Sequence, residues 1–147
     1  MIWAVCKDLG INYAERVYLY QSRLFEDDFP EENLEFGNVT YVDRVDNDVE
    51  ASLANMRLKM LTDQKIDAGV FIGGMEGIFN EHTLLQKYQP LANRIILTSP
   101  GGAAQQLSKR PLTKLDVVDE TIDFARLFDN MFPSPALEPK PPRRMGP

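Results

Sequence analysis

The sequence predicts a three-layer α/β domain built on a mainly parallel sheet. Three observations carry this. Short apolar runs alternate with segments of helical periodicity along most of the chain. The run "AGVFIGG" is continuously apolar, as strands buried on both faces of a parallel sheet are. Both "AGVFIGG" and "RIILTS" lead through glycines into a helical pattern, the order expected of right-handed crossover units. A length of 147 residues with 44% hydrophobic content suits a single core.

Taken in order, Ile2 to Leu9 is apolar at helical intervals and stops at Gly10, a good C-cap residue, so it reads as the end of a helix whose start carries no cap. Val17 to Tyr20 within "ERVYLYQS" is β-branched and aromatic and reads as the first strand. The acidic run "RLFEDDFPEENLEFGN", with Pro30 and Gly37, reads as an exposed connection with room for one helical turn. Val39 to Asp43 is the second strand. "NDVEASLANMRLKMLTDQ" then forms a helix with Val49, Leu53, Met56 and Met60 on one face and Asn47 or Asp48 as cap. "AGVFIGG" is the third strand, "IFNEHTLLQKY" the helix behind it, and "RIILTS" the fourth strand. Another helix begins in "PGGAAQQL", and "DETIDFARLFDNMF" closes the fold as a helix. The domain is expected to span residues 1–132, followed by a Pro-rich tail at 133–147 that reads as extended or disordered.

Composition narrows the function classes. Sixteen Lys and Arg stand against 22 Asp and Glu, a formal charge of −6, and no dense basic block occurs before the extreme C-terminus. General nucleic-acid binding and a membrane surface are therefore not expected. The opening apolar run of five residues is too short for a signal segment or a span. The single cysteine, Cys6, reads as core, and no Cys/His spacing suits a metal. A soluble, cytoplasmic protein without metal or cofactor is expected.

Ligands of parallel sheets bind beyond the carboxyl ends of the strands. Three such ends are polar or glycine-rich: Tyr20, Gln21 and Ser22; Gly73, Gly74, Met75, Glu76 and Gly77; and Ser99 with Gly101 and Gly102. The turn "IGGMEGI" has the form of an anion site, since glycines admit a phosphate to the backbone and the following helix presents free N–H groups. It also reads as a tight structural turn. "SPGGAA" repeats the same logic one strand later. Glu81 projects from the first turn of the helix, as a ribose ligand, a general base or a plain helix-dipole residue. Arg57, on the preceding helix, is a ligand arginine or a solvated surface charge, and His82 reads as a capping or surface residue.

The stretch "MRLKM…DAGVFIGGMEGIFNE" resembles the signature of the LOG-type phosphoribohydrolases, which pair an Arg-Lys helix motif with a "PGGxGTxxE" turn. "VYLYQS", "SLANMRLKM", "AGVFIGGMEGI" and "TSPGGAA" are similar to the wider SLOG superfamily, which also includes Smf/DprA-like proteins and nucleotide sensors. The resemblance implies a Rossmann-like domain. It implies Arg57 and Glu81 as a catalytic pair, with Gly73, Gly74 and Gly77 as phosphate-contacting glycines. It departs from the signature in three ways. "GGMEG" is one residue longer than "GGxG" and sets Glu76 beside the phosphate; Ile72 and Ile78 replace the proline and the threonine; and the family's first strand and glycine loop are not matched. An N-terminally incomplete sheet, completed in a dimer or higher homo-oligomer, is expected.

The functional expectation is a domain that binds or senses a nucleotide or ADP-ribose derivative. The alternatives are hydrolysis of the N-glycosidic bond of a nucleoside 5′-monophosphate and a scaffold with a vestigial pocket.

Overall fold

Parallel pairing organises the chain. The computed structural model describes residue 10 and residues 12–131. A one-turn helix α1 (Tyr13–Arg16) precedes β1 (Tyr18–Ser22), which leads into two 3-10 segments, Arg23–Asp28 and Glu31–Glu35. After β2 (Asn38–Val42) come α2 (Val49–Asp63), β3 (Ala68–Ile72), α3 (Gly77–Tyr88), β4 (Asn93–Leu97), α4 (Gly102–Leu107), β5 (Asp116–Asp119) and α5 (Phe124–Met131). β1 pairs with β2 from Tyr18 opposite Asn38 to Ser22 opposite Val42. β4 lies between β3 and β5, with Val70 opposite Ile95 and Ile95 opposite Val117. Every one of these pairings is parallel and helices lie between the strands, so the chain adopts the Rossmann-like α/β class expected from its sequence.

β4 is central because it can be. Ile95, Ile96 and Leu97 are fully buried, and an unbroken apolar run is what a strand covered on both faces requires. On one face Phe71 and Ile96 pack with Leu61, Leu85, Ala104 and Leu107, which seats α2, α3 and α4 against the sheet. α2 starts where Asp48 accepts a hydrogen bond from the Ala51 N–H at 3.0 Å, an N-cap of the expected kind. Ser52, wholly buried, satisfies its hydroxyl on the Val45 N–H at 2.9 Å.

The fold also departs from the expectation. The acidic connection contains two 3-10 segments, the first capped by Ser22, whose hydroxyl accepts from the Leu24 N–H. β5 was not anticipated, because "DVVD" is four residues long with an aspartate at each end. The buried side of α2 carries Ser52 and Leu61, while Val49 at its start stays half exposed. The helix expected over 2–9, Cys6 within it and the tail at 133–147 lie outside the described residues.

Candidate functional site

β3 ends at Ile72, and the chain turns through Gly73 (φ 56°) and Gly74 (φ 74°), a left-handed pair that glycine supplies at little cost. α3 begins at Gly77. The Ile78 and Phe79 N–H groups donate to the carbonyls of Met75 and Glu76 at 3.0 and 3.1 Å. Those of Met75, Glu76 and Gly77 find no acceptor among the described residues. Three free donors at the positive end of a helix dipole are chemically suited to an anion.

Arg57 reaches this turn from α2. Its Nε donates to Glu81 Oε1 on α3 at 3.1 Å, with the two side chains 12% and 33% exposed. Gly77 is what lets them close: a Cβ there would lie 2.6 Å from Arg57 Nη2 and 3.6 Å from Glu81 Oε1. The guanidinium therefore lies against the backbone of the turn, and arginine, glutamate and glycine turn pack as one unit. They line a cleft of about 610 Å³ with Glu50, Leu53, Gly74, Met75, Glu76, Ile78 and Asn80, within the size range of small-molecule sites. Three carboxylates, Glu50, Glu76 and Glu81, face one guanidinium in that lining.

The other residues singled out in the sequence lie elsewhere. Tyr20 donates its hydroxyl to Asp63 Oδ2 at 3.3 Å, at the end of α2, and burial together with the Asp63 carboxylate pushes its phenol up. Gln21 sits in the sheet opposite Tyr41, Ser22 is buried as the cap described above, and Ser99 donates to the Thr121 carbonyl at 2.8 Å. Gly101 (φ 76°) and Gly102 (φ 68°) form a second left-handed turn, but it faces the first turn instead of the cleft. The Ala103 N–H donates to the Gly74 carbonyl at 3.0 Å and the Ala104 N–H to the Gly73 carbonyl at 2.9 Å. The second turn is a brace for the first. Its two donors are occupied.

His82 is not a surface residue. It is 7% exposed, meets Phe71 edge to face at 5.3 Å between ring centroids, and lies with Nε2 2.6 Å from Asp116 Oδ1. Asp116 also receives Arg94 Nε at 2.8 Å and both the N–H and hydroxyl of Thr113 at 2.7 Å, with its side chain fully buried. Burial alone raises the affinity of this carboxyl for a proton. The hydrogen bonds from Arg94, Thr113 and His82 outweigh it and hold the group well below the usual carboxylate range. The cluster fastens α3 to β4 and β5, with His82 next in the chain to the cleft residue Glu81.

Sequence reading missed Glu50, Leu53 and Asn80 in the cleft lining. The signal was present, because positions 50, 53 and 57 fall on one stripe of a helix and Asn80 neighbours Glu81. Among the described residues no helix is long and apolar enough to cross a membrane, and no three or more His, Cys, Asp and Glu residues gather as a metal site.

The sequence model of the SLOG cluster3 family matches residues 1–132. No curated protein and no solved structure matches the chain.

Proposed function

The chain belongs to the SLOG cluster3 family, a nucleotide-related Rossmann-like group, and from that premise we propose that the cleft between α2 and α3 binds a nucleotide-type small molecule. The observation that carries this reading is the packing of Arg57 and Glu81 against the Gly74–Gly77 turn. In it the free N–H groups of Met75, Glu76 and Gly77 take phosphate oxygens, and Arg57 adds a charged donor beside them. Glu81, held by Arg57 through one carboxylate oxygen, keeps acceptor capacity for a ribose hydroxyl. Binding, with a change in stability or assembly as output, is the proposed function. The binding unit is proposed as residues 1–132, acting in a homo-oligomer.

A second reading is favoured by the same ion pair. A carboxylate oriented by an arginine, next to an anion receptor, suits hydrolysis of a nucleoside 5′-monophosphate. Glu81 would activate water or stabilise positive charge developing on the ribose, while Arg57 neutralised the phosphate.

One experiment separates the readings. The chain is incubated with adenosine monophosphate while thermal stability and free adenine are followed. Binding raises the melting temperature, and Arg57→Ala is expected to abolish that rise. Gly77→Ala, which forces a Cβ into the guanidinium, is expected to weaken binding by about tenfold, the loss of roughly one charge-assisted hydrogen bond. Adenine release that disappears in Glu81→Gln would establish the hydrolase. Absence of any shift across adenosine nucleotides and ADP-ribose would leave the scaffold.

A further inference from the structure

We propose that the cleft accommodates one phosphate group and discriminates against di- and triphosphates, with Glu50 and Glu76 as the residues that set the limit. This rests on the nucleotide reading above. It runs against the ADP-ribose-class ligand that the sequence resemblance implies.

The first argument is the count of donors. A pyrophosphate needs two anion receptors side by side, and two adjacent glycine turns at strand ends look like such a pair in the sequence. In the structure most donors of the second turn are already taken. The second turn has its Gly101 N–H bonded to the Thr98 carbonyl at 2.9 Å. Its Ala103 and Ala104 N–H groups are bonded to Gly74 and Gly73, and its Ser99 hydroxyl to Thr121. Gly102 is pressed against the backbone of Gly73 and Gly74, with no space for a ligand between the turns. Among the described residues the second turn leaves only the Ser99 and Gly102 N–H groups without an acceptor, whereas the first offers a contiguous set from Gly73 to Gly77, so the two turns do not form a matched pair of receptors.

The second argument is charge. A second phosphate extending from that receptor stays within the cleft, whose remaining polar lining is Glu50, Asn80, Glu76 and the Arg57–Glu81 pair. Arg57 is the sole cation among the lining residues and already shares its charge with Glu81. Each added phosphate therefore meets carboxylates without a new counter-ion. A carboxylate about 6 Å from a phosphate in a half-solvated cleft disfavours binding by roughly tenfold. The penalty is electrostatic, so it diminishes with added salt.

Calorimetric titration of the whole chain with adenosine, AMP, ADP and ATP, in magnesium-free buffer at low and at moderate salt, tests this. AMP is expected to bind about tenfold more tightly than ADP, and ATP more weakly still. Glu76→Gln or Glu50→Gln should shrink the AMP-to-ADP ratio to about threefold, and moderate salt should shrink it in the unaltered chain. ADP or ATP binding as tightly as AMP overturns the proposal. So does a ratio that neither glutamine substitution changes. Tight ADP binding that Arg57→Ala removes would overturn this inference alone and leave the nucleotide site standing, whereas no binding by any of the four compounds overturns both.

Discussion

Arg94→Met is expected to melt about 10 °C below the unaltered chain, a loss of about 3–5 kcal/mol. The arginine side chain is 1% exposed and its partner Asp116 is fully buried. Removing the guanidinium leaves that carboxylate without its counter-charge and the Ala92 carbonyl without the Arg94 donor at 3.1 Å, while the Thr113 hydroxyl loses its 2.6 Å donor and keeps its bond to Asp116. A buried charge that loses its partner costs far more than the pair contributes. Accordingly Arg94→Met combined with Asp116→Leu should recover part of the loss, although Thr113 and His82 remain without their acceptor. The pH dependence has a definite sign. Because the folded-state pKa of Asp116 is depressed, its contribution is complete above the ordinary carboxylate value of about 4 and is lost as the pH falls further below it. Melting temperatures measured between about pH 7 and pH 2 should fall steeply at the acid end, and Asp116→Asn should flatten that limb. A single-site loss below about 1 kcal/mol would contradict the assignment.

Gly102→Ala is expected to cost about 3 kcal/mol and to abolish ligand binding at the same time. An alanine at φ +68° incurs roughly 1–2 kcal/mol of backbone strain. Its Cβ would also lie 2.8 Å from both Gly73 C and Gly74 O, main-chain atoms that no rotamer change can clear. The braced turns would part, and the two hydrogen bonds from Ala103 and Ala104 would go with them, about 1 kcal/mol each at most. Gly73→Ala provides the comparison, since its φ is also positive but no atom lies within 4 Å of the added carbon. It should show the strain alone. Denaturant titration of both variants, beside a thermal shift with AMP, checks the difference.

Much of the α/β alternation was legible because burial on two faces writes itself into composition. "RIIL" is a strand for the same reason that Ile95 to Leu97 are inaccessible. "AGVFI", expected to be buried on both faces, buries only Phe71 and leaves Val70 and Ile72 39% and 46% exposed, because its second face is not covered among the described residues. Asp48 as a cap was legible from local chemistry. Partnerships across long stretches of sequence were not. Arg94 at the head of an apolar strand and Asp116 at the head of "DVVD" are separated by 22 positions, and only the β4–β5 register unites them. His82 could have been read more closely, since it stands three positions before the buried Leu85 on the same face of α3. Arg57 and Glu81 came forward through resemblance, while their contact depends on how α2 packs against α3. The polar ends at Tyr20 to Ser22 and at Ser99 do not line the cleft, and the hydroxyls of Tyr20, Ser22 and Ser99 are engaged in local contacts that composition does not encode.

The separation of the strands into β1–β2 and β3–β4–β5, with no ladder hydrogen bonds between the groups among the described residues, bears on cooperativity. α2 packs on β1, β2 and α3 and so bridges the two groups. Opening fluctuations are expected to release β1–β2 amides to exchange while those of β4, bonded on both sides, stay protected. Arg57 stands on α2 and Glu81 on α3. A ligand held between them would therefore clamp the seam and slow exchange in strands it never touches.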